Sequence, residues 1–306
     1  MENLNTIVSK YLDFCKHNKN LTNKTLKSYS IDLKQFNNFV MQNESELSKD
    51  AINKYIAHLQ MNYKIKTVKR KIASAKAFCN YLEYENIIKE TPFNKVRLKL
   101  HEPTLLPRTI PLDYIEKIFA CAYKKYALEQ YGSYSKKNNL RDIAVLELLF
   151  ATGLRVSELC NLNLDSVNLS DGTIMIYGKG SRERIIQLGN FQVLSILREY
   201  EQAFHNDIEK TNCFFINRLG KRLSDQSVRI IIKNHSKAAG LSLHITPHMF
   251  RHSFATLLLE EDVDIRYIQR FLGHSSIVTT QIYTHVASKK QRDILSTKHP
   301  RNKMSF

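Results

Sequence analysis

"TPHMFRHSFATLLLE", residues 246–260, decides how the second half of this chain is read. Thr246 suits an N-cap and Pro247 a first helical turn, while Phe250, Phe254, Leu257 and Leu258 recur at helical spacing as an apolar stripe. That first turn, however, carries His248, Arg251 and His252. Cations there face the positive pole of the helix dipole, which is unfavourable unless something anionic offsets it. His248 and Arg251 lie three residues apart and so share a face, above the small Ala255. A phosphate at that end would satisfy backbone N–H groups, guanidinium fork and imidazole together. Taken alone, the HxxR pair is a weak signal, and the commoner arrangement is an arginine paired with a distant carboxylate beside ordinary surface or core histidines.

Three further stretches carry candidate chemistry. "ATGLRVSELCNL", 151–162, breaks a helix at Gly153 and restarts it with Arg155 in the junction. Glu158, three residues on, either holds Arg155 in place or forms a surface ion pair with it. "GTIMIYGKGSRERIIQL", 172–188, has two β-rich runs around Gly178-Lys179-Gly180 and predicts a hairpin. Its glycines would let Lys179 approach another molecule closely. Lys179 is not a phosphate-loop lysine, because no glycine precedes it at the right spacing and Gly180 stands where Ser or Thr belongs. "FLGHSSIVTTQIYTH", 271–285, puts His274 just past a glycine C-cap and Tyr283 on the next helix, where a lone tyrosine is more often core than nucleophile.

The 306 residues suffice for two domains, and 43% are hydrophobic and spread along the chain. The net charge is +17. Residues 1–100 hold 18 Lys and Arg against 9 Asp and Glu, so both halves are basic. This excludes a basic tail on a neutral body and fits a long anionic partner touching both halves. Cys15, Cys79, Cys121, Cys160 and Cys213 are scattered and form no ligand pair, so buried free thiols are expected. No metal-ligand spacing and no nucleotide-binding motif occurs. The N-terminus is amphipathic and contains acids, unlike a signal peptide, and "IAVLELLFA" is short and interrupted by Glu147. A cytosolic location, with no membrane association, is expected.

Residues 1–95 are predicted as a four-helix bundle. Ile7, Val8, Tyr11, Leu12 and Cys15 give one apolar face, and Leu26, Tyr29, Leu33, Phe36 and Val40 a second. Ser48 and Thr67 are the expected caps of the third and fourth helices. "KIKTVKRK", 64–71, brings Lys64, Lys66, Lys69, Arg70 and Lys71 to the start of the fourth helix and holds no acid, and these five are candidate DNA-phosphate contacts. Residues 96–111 are proline-rich and predict a linker. In 112–306, helices are expected over 112–131 and 140–151, then the hairpin, a possible strand at 213–217, and helices from Ser224 with breaks at Gly240 and Gly273. The whole chain is expected to be mainly α with a small β component.

The four stretches together resemble the tyrosine recombinase (phage integrase) family. Arg155 in "TGLRVSEL", Lys179 in "GKG", His248 and Arg251 in the HxxR box, His274 in "LGH" and Tyr283 in "QIYTH" stand in that family's order. "TTQIYTHV" and the closing "HPR" look most like its Xer branch, although 127–142 is longer than usual there. The resemblance implies a SAM-like, core-binding helical domain before an α+β catalytic domain, the two closing on a DNA duplex as a clamp. It implies cleavage and rejoining of DNA through a 3′-phosphotyrosyl intermediate and a Holliday junction, without metal or ATP. Tyr283 would be the nucleophile, Arg155, Arg251 and His274 would bind the phosphate, His248 would serve as general base, and Lys179 would protonate the departing 5′-oxygen. The partners implied are double-stranded DNA and other protomers, as a homotetramer on two sites or a heterotetramer with a related recombinase, with or without an accessory protein. The basic tail "SKKQRDILSTKHPRNKMSF" would dock on a neighbouring protomer. The role would be dimer resolution or mobile-element integration and excision. A type IB topoisomerase-like activity and a non-catalytic DNA-binding protein on the same fold are the rival readings.

Overall fold

The computed structural model describes residues 4–43, 47–96, 100, 108–130, 132–177 and 183–273. The chain forms two compact units, Met1–Thr104 and Leu105–Phe306, each with its own hydrophobic core.

The first unit is built from α1 (Leu4–His17), α2 (Asn23–Asn43), α3 (Lys49–Asn62) and α4 (Ile65–Tyr84). The apolar faces meet in a core centred on Tyr11, Leu33, Phe36, Tyr55, Leu59 and Phe78. Tyr11 and Phe78 lie 5.4 Å apart between ring centroids, and Phe36 and Tyr55 lie 4.9 Å apart. Burial of each of Leu33, Phe36, Leu59 and Phe78 stabilises the unit by about 1.5–3 kcal/mol. Ser48 caps α3, its hydroxyl accepting from Ala51 N at 3.2 Å. Thr67 does not cap α4. Only the extended Tyr63 and Lys64 separate α3 from α4, so the helix starts a turn early: Lys64 is the N-cap, and the N–H groups of Thr67 and Val68 donate to its carbonyl.

The basic run at the head of α4 also differs from expectation. Lys71 is buried with its ammonium turned onto a buried acid of α2, so it is not placed to meet a DNA phosphate. Its ammonium donates to Asp32 Oδ1 at 3.0 Å and to the Gln35 side chain, and lies 4.9 Å from the centroid of the Tyr63 ring. Arg70 donates to the other Asp32 oxygen, and Ser74 joins the same carboxylate. The cause is Asp32, an acid on the buried face of α2 whose carboxylate requires cations around it. Lys64 and Lys66 are exposed and Lys69 half-buried.

The second unit comprises α5 (Leu112–Leu128), α6 (Tyr134–Thr152), α7 (Val156–Cys160), an antiparallel sheet, α8 (Phe191–Thr211), α9 (Asp225–Ala238), α10 (Pro247–Glu260) and α11 (Ile265–Leu272). The sheet runs β1 (Val167–Asn168), β2 (Thr173–Tyr177), β3 (Glu183–Gln187), with Thr173 opposite Gln187 and Tyr177 opposite Glu183. The two longer strands are the arms of the expected hairpin; its tip lies outside the described residues. Helix α6 begins six residues before the expected start, because Ser133 caps it by accepting from Lys136 N at 3.0 Å. Residues 213–217 form only isolated bridges, not a strand. Their backbone is divided between neighbours: Phe214 N donates to Leu162 O, Phe215 O accepts from Leu223 N, and the buried Tyr200 hydroxyl donates to Phe214 O and accepts from Ile216 N, both at 2.9 Å. Cys15, Cys79, Cys160 and Cys213 are buried free thiols and Cys121 is half-buried. Burial pushes the thiols of Cys79 and Cys160 up to about 12, so both are inert as nucleophiles.

Candidate active site

Helix α10 starts as its sequence predicts, with Thr246 Oγ1 accepting from Met249 N at 3.4 Å and Pro247 in the first turn. Phe250 is wholly buried on one side. Arg251 is also buried, and its contacts explain how a cation is tolerated at the wrong end of a helix. Nη1 donates to Gly153 O at 2.8 Å and Nη2 to Leu272 O at 2.6 Å. Gly153 is the C-cap of α6, and Leu272 is the last residue of α11. Arg251 therefore sits at the negative poles of two other helices, whose carbonyls offset the positive pole of its own. Gly153 is fixed by geometry as well: its φ is +61°, and a Cβ there would fall 2.5 Å from Phe254 Cδ1.

Two residues beyond Gly153, Arg155 is the N-cap of α7 with its side chain 38% exposed. Glu158, at the third position of that helix, accepts from Arg155 N at 2.9 Å and from Arg155 Nη1 at 2.8 Å. The choice left open between support and surface ion pair falls to support. Glu158 is only 6% exposed and is shared with a residue that sequence reading passed over, Arg184 of β3. Arg184 donates from Nη1 to Glu158 Oε1 at 3.1 Å and from Nη2 to Oε2 at 2.8 Å. Burial alone would raise the Glu158 pKa. The bonds from Arg184 and from the Arg155 backbone and side chain outweigh it and hold the carboxyl below its ordinary value.

His248 projects from the first turn of α10 and feels the charges of Arg251, Arg229 and Arg155, which places it in the same electropositive cluster. Partial burial, then those cations, lower its pKa, so it is neutral at pH 7. His252 is shifted further, down to about 4, by burial and by its neighbours His248 and Arg251. Arg229 of α9 is a second basic residue not anticipated; one exposed arginine in a helix gives no spacing signal.

The structure thus brings Arg155, His248 and Arg251 together around the turn at Gly153. Lys179, His274 and Tyr283, and the tail expected to dock, lie outside the described residues. Lys64, Lys66, Lys69, Arg70 and Lys71 belong to the first unit. Among the described residues no helix is long and apolar enough to cross a membrane.

Residues 113–290 match the phage integrase family, and residues 8–86 match its N-terminal SAM-like domain. This chain belongs to the tyrosine recombinase (phage integrase) family. It is 54% identical to a tyrosine recombinase of Agathobacter rectalis, over the full length of both chains. It is 34% identical to the tyrosine recombinase XerD of Staphylococcus epidermidis, covering 97% of this chain and 100% of that one. Among solved structures, a XerH site-specific recombinase bound to palindromic difH substrate superposes with a TM-score of 0.76 at 24% identity, covering 95% of this chain and 84% of that one. That likeness concerns the fold: a SAM-like helical domain followed by a helical domain with a small sheet.

Proposed function

We propose that this chain is a site-specific recombinase that cuts and rejoins double-stranded DNA through a covalent 3′-phosphotyrosine. The observation that carries the reading is the convergence of Arg155, Arg251 and His248 at the Gly153 turn. A phosphodiester bound there would have its non-bridging oxygens gripped by two guanidinium groups, which stay charged at any working pH and bind in a planar fork. Neutralised, it no longer repels an attacking oxyanion.

The nucleophile in this reading is Tyr283. A phenol of pKa about 10 is only about 0.1% ionised at pH 7, so its attack requires a base. His248, held neutral by partial burial and by the cations around it, is available to take that proton. His274 adds a donor to the phosphate, and Lys179 gives a proton to the departing 5′-oxygen. The phosphotyrosyl bond conserves the energy of the phosphodiester, and a 5′-hydroxyl of a second duplex attacks it to rejoin the strand. Charge neutralisation is assigned to side chains, so the chemistry calls for neither metal ion nor ATP. Exchange takes place in a tetramer on two sites, of this chain alone or with a related recombinase, with the tail docking between protomers in the bacterial cytosol. Full-length similarity to relatives named XerD and XerC supports dimer resolution as the role, with element integration or excision as the alternative.

The test is capture of DNA by the purified full chain, sequencing of the captured site, and denaturing electrophoresis on a nicked version of that site with EDTA present and ATP absent. A covalent adduct that Tyr283→Phe abolishes while DNA binding persists is the expected result. Binding without an adduct would make the protein a pure DNA binder. An adduct with relaxation but no joining between duplexes would make it topoisomerase-like.

A further inference from the structure

Arg184 is 13% exposed and makes three hydrogen bonds. Two close a fork on the Glu158 carboxylate, and the third runs from Nε to Phe271 O at 3.0 Å, in the last turn of α11. The fit against α11 is tight. Gly273, its left-handed C-cap with φ +61°, would place a Cβ 2.8 Å from Arg184 Nη1 and 3.1 Å from Cζ. One side chain on β3 therefore ties together three parts of the site. These are the carboxylate that orients Arg155, the strand leading from the hairpin tip that bears Lys179, and the end of α11, immediately before His274.

The charge balance gives this arrangement a purpose beyond packing. Were Glu158 matched to Arg155 alone, the pair would be neutral, and a phosphate would have to displace a carboxylate already on the guanidinium. Both Glu158 oxygens are instead taken by the Arg184 fork, and Arg155 makes a single side-chain bond to Oε1. One negative charge shared by two arginines leaves the trio at +1, with other Arg155 N–H donors available to an anion.

We propose that Arg184 is a positioning residue for phosphate binding: it occupies Glu158 so that Arg155 is oriented without being neutralised, and it fixes the chain where α11 ends. This rests on the recombinase reading above. The test is the single-turnover rate of adduct formation on the captured site, measured with DNA affinity and melting temperature. The chains compared are the unaltered protein, Arg184→Lys, Glu158→Gln and the double variant. Lysine keeps the charge but cannot form the fork. Arg184→Lys is expected to slow adduct formation about 10- to 100-fold, with DNA affinity within about threefold, in line with loss of part of an electrostatic site. Once Glu158→Gln has removed the carboxylate, Arg184→Lys should cost less than about threefold more, because residues acting through one another are not additive. Should Arg184→Lys not fold, Arg184→Met keeps the stem and replaces it in the same cycle. An unchanged rate in the Arg184 variant, or losses that simply multiply in the double variant, overturns the proposal while the recombinase reading stands. A failure of the unaltered chain to form any Tyr283-dependent adduct overturns both.

Discussion

Lys71 and Arg251 are buried almost equally, at 3% and 4% exposure, and different chemistry holds them. Lys71 meets a carboxylate, Asp32, together with the Gln35 side chain and the Tyr63 ring. Its ammonium shares that buried acid with Arg70, and its work is to let α2 and α4 pack around it. Arg251 is anchored on two carbonyl oxygens at helix ends, which orient a guanidinium through their dipoles but carry no net charge. Arg155 differs from Lys71 in reach: its carboxylate is likewise shared with a second cation, Arg184, but its own side chain stays 38% exposed. A basic residue in a sequence is thus judged as a binding candidate by its folded partners and its reach, not by the charge run in which it stands.

The comparison can be broken at several points. The largest effect belongs to Arg251→Gln, which removes a phosphate donor and should lower the single-turnover adduct rate about 10²–10³-fold, or about 2.7–4 kcal/mol, with DNA binding retained. Lys71→Met should do the reverse. Denaturant unfolding should show a loss of about 3 kcal/mol, the low end for breaking a buried pair because Arg70 and Ser74 still hold Asp32. The adduct rate per folded molecule should stay within about threefold. A smaller effect concerns pH. His252 has a folded pKa of about 4 against about 6.5 unfolded, so below pH 6.5 the unfolded state binds more protons and stability falls as pH drops towards 4. Between pH 7.5 and 5 the unaltered chain should lose at most about 2 kcal/mol more than His252→Asn, screening of a partly exposed ring making this an upper bound. His248 is shifted in the same direction, so adduct formation should persist below the usual histidine range before declining as pH falls.

Periodicity made most helices legible, because each buries one stripe: Ile7, Val8, Tyr11 and Cys15 on α1, or Leu33, Phe36 and Val40 on α2. Side-chain caps read well at Ser48 and Thr246, and the glycine stops at Gly153 and Gly273 both proved to be left-handed C-caps. Other features depended on tertiary partners. Thr67 lost its cap role to a two-residue connection, and 213–217 splits its backbone bonds among Leu162, Lys221, Leu223 and the Tyr200 hydroxyl instead of forming a strand. Helix α8 carries the stripe Val193, Ile196, Leu197, Tyr200 and Phe204 after an Asn190 cap, a signal that was present but not used. Within the site, Arg155, His248 and Arg251 were readable from motif order. Arg184 was not, because it is 26 residues from Glu158 and only the folded hairpin brings them together. Lys71 misled for the complementary reason: the acid that claims it lies 39 residues away on another helix.

The proposal that Arg251 acts on the charge of a bound phosphate is tested most directly by removing that charge from the substrate instead of altering the protein. Adduct formation by the unaltered chain and by Arg251→Gln would be compared on the captured site with its scissile phosphate, and again with a neutral methylphosphonate in that position. The account predicts that the roughly 10²–10³-fold deficit of Arg251→Gln on the charged substrate shrinks below about tenfold on the neutral one. An equal deficit on both would contradict it, showing that Arg251 serves the packing of α6, α10 and α11 and not the charge of bound DNA.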